Sequence, residues 1–449
     1  MFEDKRFLVF GAGISGIGAV RLLSSITDKI VLYDGNENID VDELMERVGV
    51  KTPYEIALGA LSDEILKKAD IAILSPGVPV DKPEVVAMKN AGMEIWGEVE
   101  LAYRFTKGDL LAITGTNGKT TTTSLVGAIA KAKQEDSYIT GNIGIPYTEC
   151  APKTGDDSIT VLEISSFQLE TTLEFHPHVS CILNITPDHL DRHRTFENYA
   201  KAKFDIVKNQ TEDDFCILNY DDELLRDFAG KIKPQVMFFS SSVKLDKGIY
   251  LDGKDIYLNE GDGPRLICRT DEVKLLGRHN YENIMAAFAI AYKAGIPEDI
   301  IIKTIKEFTA VEHRIEFVIE KNGVRYYNDS KGTNPDAAIK AVEAMEWPTI
   351  LIGGGYDKHS DYTDWIKSFG DKVKLLVLVG QTKHDIEKCA HENGFTNTIL
   401  CGTFEEAVKV CMEKAESGDA VLLSPACASW GMFKNYEERG RLFKELVTK

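Results

Sequence analysis

Positive charge is scarce in this 449-residue chain. Its 52 Lys and Arg face 71 Asp and Glu, giving a formal net charge of −19. Such a surface repels a phosphate backbone, so no nucleic-acid partner is expected. An anionic small ligand needs backbone N–H groups, Lys, Arg or a metal to override the field locally. No uncharged apolar run approaches the roughly 18 residues of a membrane span. The opening Met-Phe-Glu-Asp-Lys-Arg is not a signal-peptide pattern. The eight cysteines are scattered, Cys401 and Cys411 being the closest pair, and no CxxC occurs. Neither a zinc ribbon nor a redox pair is indicated, and free thiols fit a reducing cytoplasm. Repeats of 20–50 residues and low-complexity tracts are absent. With 14 prolines and 43% hydrophobic residues, a disordered or fibrous chain is excluded.

What is present is α/β patterning from end to end. Apolar runs occur at Phe7–Phe10, Ile30–Tyr33, Ile71–Leu74, Leu110–Ile113, Ile159–Leu162, Cys181–Leu183, Ile350–Ile352, Leu375–Val379 and Ala420–Leu423. Continuous apolarity suits strands of a parallel sheet covered on both faces. Helical periodicity lies between them, as at Thr120–Lys131 and Tyr281–Tyr292. Val243–Thr270, rich in Gly and Asp with short strand-like runs, predicts a β excursion. Boundaries near Trp96-Gly97 and Thr309-Ala310 divide the chain into 1–97, 98–309 and 310–449, in keeping with about 150 residues per domain.

Four constellations carry chemistry. The first strand leads into Gly11-Ala12-Gly13-Ile14-Ser15-Gly16 and a helix, and Asp34 follows the next strand. This is GxGxxG in the right context: its glycines allow backbone N–H groups close to a diphosphate. A nicotinamide dinucleotide, any other diphosphate nucleotide, or close helix–sheet packing alone satisfies it. Ser75-Pro76-Gly77 ends a later strand and is placed to line the same crevice.

The second is Thr114-Gly115-Thr116-Asn117-Gly118-Lys119-Thr120, between a strand and a helix. Loop amides face phosphates, Lys119 adds a charge and the Thr120 hydroxyl can ligate Mg²⁺. Only two residues separate Gly115 from Gly118, so this is not the standard Walker loop.

The third joins Glu163, a carboxylate at a strand's carboxyl end where Mg²⁺ would sit, with His189 and Lys203. His189 and His193 are four apart without forming HExxH, which disfavours zinc hydrolysis. His189 reads either as a ligand or as a hydrogen-bonded loop histidine. Phe196, Ala200, Lys203 and Val207 share one helical face, and Lys201 does not. A lysine in an apolar stripe either snorkels or is desolvated into a modifiable neutral amine.

The fourth lies in the carboxyl half: His313-Arg314, Asn328-Asp329-Ser330-Lys331-Gly332-Thr333-Asn334-Pro335, Gly353-Gly354-Gly355-Tyr356-Asp357-Lys358, and Ser424-Pro425-Ala426-Cys427-Ala428-Ser429-Trp430. The last three follow strands, so ligand-binding loops converging at strand carboxyl ends are expected; as turns and caps they need no ligand. Cys427 reads as a small buried thiol rather than a nucleophile.

The ordered series GTNGKT, EISSFQLE, NITPDHLDRH, LLGRHN, EHR, NDSKGTNP, GGGYDK and LLSPACASW with FKNYEERG resembles the Mur ligase family across all three proposed domains. The resemblance implies an amino-terminal Rossmann-like domain for UDP, a central P-loop-like ATPase domain with a parallel sheet, and a carboxyl-terminal Rossmann-like domain for the amino acid. It implies ATP-dependent joining of D-glutamate to the L-alanine carboxylate of UDP-N-acetylmuramoyl-L-alanine through an acyl phosphate, in cytoplasmic peptidoglycan precursor synthesis, by a monomer.

By the same resemblance, Ile14, Ser15, Asp34 and Gly77 contact UDP, and Asn142 and Ser165 orient the acceptor. Some relatives carry an Arg just after the Asp; here Asp34 is followed by Gly35-Asn36. Gly115 to Thr121 (Gly115, Thr116, Asn117, Gly118, Lys119, Thr120, Thr121), Asn280, Asn283, Arg314, Asp329 and Lys331 bind ATP. Thr120 and Glu163 hold one Mg²⁺; His189 and Lys203, the latter carbamylated by CO₂, hold a second. His189 is also the candidate general base. Thr333, Lys358, Ser429 and Tyr436 form the D-glutamate site. A nicotinamide dehydrogenase leaves the ATP loop unexplained. An amino-acid-sensing ATPase shares the ATP site without making product. A folylpolyglutamate-type ligase lacks SSFQLE and the terminal loop.

Overall fold

The computed structural model describes residues 2–67, 69–309, 311–356 and 360–449. Lys358 and Ala310, the latter at the expected second boundary, lie outside the described residues. The chain divides into two units, Met1–Cys268 with Glu282–Ile305, and Arg269–Tyr281 with Lys306–Lys449.

The first unit holds two sheets. One comprises β1 (Phe7–Phe10), β2 (Ile30–Asp34), β3 (Glu55–Leu58), β4 (Ile71–Leu74) and β5 (Glu94–Gly97), in the order β3-β2-β1-β4-β5. All four pairings are parallel. Alternation of side chains across the strand sends Phe7 and Val9 to one core and Leu8 and Phe10 to the other. The run is therefore apolar throughout because both faces are covered.

The other sheet comprises β6 (Asp109–Thr114), β7 (Ser137–Gly141), β8 (Ile159–Glu163), β9 (Val179–Ile182), β10 (Phe215–Asn219), β11 (Gln235–Ser240), β12 (Gly248–Asp252), β13 (Asp255–Asn259) and β14 (Pro264–Arg269). Its order is β14-β13-β12-β11-β10-β9-β6-β8-β7. From β7 to β12 the pairings are parallel, and β12 pairs antiparallel with β13. The β excursion expected over Val243–Thr270 is thus an extension of this sheet.

In the second unit, β15 (Glu316–Lys321), β16 (Val324–Asn328), β17 (Thr349–Gly353), β18 (Val373–Leu378), β19 (Thr398–Leu400) and β20 (Ala420–Leu423) are ordered β15-β16-β20-β17-β18-β19. Only β15 pairs antiparallel. Strand β20 sits between β16 and β17, so the loops leaving all three strands emerge side by side. The α/β expectation holds. Among the described residues, no helix is long and apolar enough to cross a membrane.

Candidate active site

The amino-terminal glycine loop is built by close approach. Gly11 has φ +111°, and a Cβ at Gly16 would lie 1.7 Å from the Gly11 carbonyl oxygen. Only glycine at 16 lets the helix Ile14–Leu23 start there. That helix has no acidic residue in its first turn and no side-chain cap, which leaves a helix N-terminus suited to an anion. The Asp34 carboxylate accepts from Ala12 N at 2.8 Å and Asn36 N at 2.9 Å, tying the loop to the end of β2. Asp34 and Gly77 line one cavity with Phe10, Gly11, Asn36 and Lys82. Ile14 is exposed and Ser15 half-buried at the helix start.

The loop after β6 is braced from beneath. Thr116 N donates to Asn184 O at 2.9 Å, Asn117 N to Asn184 Oδ1 at 2.8 Å, and the Thr116 hydroxyl meets Tyr199 Oη at 2.9 Å. Gly118 has φ +84°, and a Cβ there would meet Asn283 Oδ1 at 2.3 Å. Asn283 also accepts from Thr122 Oγ1 at 3.2 Å. The helix Lys119–Lys133 then carries Thr120 and Thr121, and no acidic residue, in its first turn. Lys119 Nζ donates to Gly115 O at 2.8 Å and Thr116 O at 2.9 Å.

Lys203 Nζ reaches the same Gly115 carbonyl, also at 2.8 Å. It is 2% exposed and lies 4.8 Å from the Tyr199 ring centroid. Lys201 is exposed. Burial lowers the Lys203 pKa to about 7, Lys119 pushes the same way, and Asp188 and Glu163 oppose. The helix carrying it runs Phe196–Phe204 and tightens into a 3₁₀ turn at Asp205–Val207, and Phe196, Ala200 and Val207 pack in one core as expected.

Glu163 closes β8 and is 1% exposed. One carboxylate oxygen accepts from Asn142 Nδ2 at 2.9 Å; the other is buried with no partner among the described residues. A buried carboxylate oxygen without a donor is costly unless a cation meets it. This donor set therefore fits a hard divalent ion, with the Thr120 hydroxyl at the start of the helix after the glycine loop. Ser165 and Gln168 form a capping box on the short helix Ser166–Leu169.

His189 has left-handed backbone (φ 50°), a side chain about half exposed and a ring 5.0 Å from Phe167. His193, by contrast, is buried against Ser166 Oγ at 2.9 Å and stacks on Phe167. Arg192 lies over Phe167 and reaches both Glu170 (2.9 Å) and Val78 O (3.3 Å), linking the SSFQLE segment to the loop after β4.

In the second unit the three expected loops do converge. Asp329 N donates to Leu423 O, Gly354 N to Pro425 O and Tyr356 N to Ala428 O. The Asp329 carboxylate accepts from Ser424 Oγ at 2.7 Å and Ile315 N at 3.2 Å, and burial pushes its pKa up to about 7. His313 has φ 68° and contacts Asn328 Nδ2 at 2.9 Å, leaving Arg314 exposed. Lys331 Nζ lies 5.6 Å from the Tyr436 ring centroid. Thr333 is half-buried two residues on, and Ser429 is 3% exposed. Asn280 Nδ2 donates to Leu276 O at 2.7 Å. Cys427 is buried against Tyr362 Oη and Thr382 Oγ1, as a packed thiol.

Sequence reasoning passed over several members. Asn184 and Tyr199 brace the phosphate loop, and Arg439 is buried beside Ser330. Asn184 opens a recognised motif, and its position after β9 was a usable signal. Glu312, His313 and Glu316 are close enough to hold a metal, but Lys444 already pairs with both carboxylates.

Comparison with known proteins bears on the fold and the family. The MurD-like N-terminal domain of Mur ligases matches residues 5–97, the Mur ligase middle domain 113–291, and the Mur ligase glutamate ligase domain 313–427. The UDP-N-acetylmuramoylalanine–D-glutamate ligase of Lachnospira eligens is 55% identical over 445 residues, covering 99% of both chains. That of Lachnoclostridium phytofermentans is 52% identical over 446 residues, covering 99% of this chain and 98% of its own. Among solved structures, UDP-N-acetylmuramate-alanine ligase from Thermotoga maritima shares the fold, with a TM-score of 0.60 at 18% identity over 99% of each chain. The chain belongs to the Mur ligase family.

Proposed function

We propose that this protein joins D-glutamate to the L-alanine carboxylate of UDP-N-acetylmuramoyl-L-alanine at the expense of ATP, as a cytoplasmic step in peptidoglycan precursor synthesis. One observation carries the reading. Two lysines meet on the Gly115 carbonyl of the glycine loop, and one of them lies in the field of the buried Glu163 carboxylate, one oxygen of which has no partner among the described residues. Relatives at 52–55% identity bear this substrate pair in their names, which supports the choice of amino acid. Residues 1–97 would hold UDP through Ile14, Ser15, Asp34 and Gly77, residues 98–309 ATP, and residues 310–449 the amino acid.

The chemistry follows from the weakness of a carboxylate as electrophile. A substrate carboxylate oxygen attacks the γ-phosphorus of ATP, the bond from that phosphorus to the β,γ-bridging oxygen breaks, and ADP leaves. The D-glutamate amine attacks the carbonyl carbon of the acyl phosphate; the nitrogen loses a proton and inorganic phosphate departs. Attacking carboxylate and γ-phosphate are both anionic, so their approach requires fixed positive charge. We assign that to Lys119 and Arg314, with Asn280, Asn283, Asp329 and Lys331 as further ATP contacts. Asn142 and Ser165 orient the carboxylate. Thr333, Ser429 and Tyr436, with Lys358, hold D-glutamate.

Thr120 and Glu163 would hold one Mg²⁺, and His189 and Lys203 a second; when bound, the ions supply charge neutralisation at the phosphates. As an ammonium, Lys203 would repel such an ion. Its lowered pKa makes the neutral amine accessible near neutrality. That amine adds CO₂ and loses a proton, forming an anionic carbamate.

The test is phosphate release from ATP with UDP-N-acetylmuramoyl-L-alanine, with and without D-glutamate. Sustained release requiring both substrates is expected. Release indifferent to both, or turnover of a nicotinamide dinucleotide instead, overturns the reading.

A further inference from the structure

Arg439 is 1% exposed, among the largest fully buried side chains of the chain. Among the described residues no carboxylate forms an ion pair with its guanidinium, which donates to Ser330 Oγ (Nε, 3.0 Å), Ser330 O (Nη2, 2.8 Å) and Cys427 O (Nη1, 3.1 Å). Ser330 Oγ in turn donates to Tyr436 O at 2.8 Å. The next residue, Gly440, lets the helix Tyr436–Thr448 press on the neighbouring loop, since a Cβ there would meet His313 Nδ1 at 2.2 Å. Burying a charge this completely is expensive. Here it fixes three stretches of chain at once: Ser330, between Asp329 and Lys331; Cys427, two residues before Ser429; and Tyr436 itself.

We propose that Arg439 is a positioning residue for the amino-acid substrate: its planar fork sets the register between the Asn328–Pro335 loop and the Ser424–Tyr436 segment, and so the spacing of Thr333, Ser429 and Tyr436. A lysine keeps the charge but, with one nitrogen, cannot hold three oxygens in a plane. The inference rests on the amino-acid-binding role assigned above.

The experiment is steady-state kinetics of Arg439→Lys in the full chain, each substrate varied in turn, with thermal unfolding as a check on folding. The KM for D-glutamate should rise about tenfold or more, with a smaller change in kcat, while the KM for UDP-N-acetylmuramoyl-L-alanine stays within about twofold. A folded variant with an unaltered D-glutamate KM, or with both KM values raised equally, overturns the proposal. Should Arg439→Lys fail to fold, Ser330→Ala removes the shared hydroxyl without opening a large cavity. It should shift the same KM in the same direction, and no shift overturns the proposal. If the unmodified protein shows no D-glutamate dependence, the functional reading itself fails, independently of either variant.

Discussion

Lys119 and Lys203 donate to one carbonyl oxygen, that of Gly115, each at 2.8 Å. Two ammonium groups on one acceptor repel each other, and Lys119 is the largest charged contributor to the lowered pKa of Lys203. In the proposed function the loop holds one lysine for charge and leaves the other for modification.

Lys203→Ala should lower activity by about a hundredfold or more, with partial recovery on adding short-chain carboxylates such as acetate or propionate. Lys201→Ala, altering an exposed side chain on the same helix, should behave like the parent. Full activity of Lys203→Ala would remove the carbamate assignment.

Glu163→Gln keeps an oxygen for Asn142 Nδ2 while removing the buried negative charge. Thermal stability should hold or rise, because a buried carboxylate oxygen left without a donor is removed. Activity should fall by about a hundredfold, and the Mg²⁺ concentration needed for half-maximal rate should increase. A fall in melting temperature with unaltered Mg²⁺ dependence would contradict the assignment.

Gly118→Ala places a Cβ 2.3 Å from Asn283 Oδ1 in a left-handed backbone. The strain, of order 1–3 kcal/mol, should appear as weaker nucleotide binding in a titration of the variant with ADP. Affinity equal to the parent's would show that the loop tolerates a side chain there.

Stability should depend on pH through two buried acids. Glu98 and Asp329 are each pushed up to about 7, in both cases chiefly by burial. An unfolded carboxyl ionises near pH 4. Between these values the native state keeps a proton that the unfolded chain has lost, so the contribution is full below about pH 4 and is lost as pH rises toward 7. Glu98→Gln cannot ionise. It should raise the melting temperature at pH 8 by on the order of 5 °C more than at pH 4.5. A pH-independent difference between variant and parent would count against a neutral Glu98.

Much of this was legible because local physics dictated it. Buried parallel strands such as Phe7–Phe10 and Ala420–Leu423 must be apolar on both faces, and they were read to the residue. Helical periodicity chose Lys203 over Lys201 from spacing alone. The edge strand β3 (Glu55–Leu58) was not read: it is half-buried at the border of its sheet. Such a strand lacks the continuous apolar signal. Arg439 was invisible for a different reason. Its partners Ser330 and Cys427 are distant in sequence, and nothing in a local pattern distinguishes a buried arginine from an exposed one.

The placement of β20 has a consequence for biogenesis. Strands β16 and β17 are made well before β20, yet neither touches the other; each pairs with β20. A ribosome-bound chain that stops short of residue 420 therefore carries two apolar strand edges waiting for a partner, a liability for self-association. The loops assigned to the amino acid acquire their common platform only when that strand is in place, because the sheet of the second unit is not continuous without it.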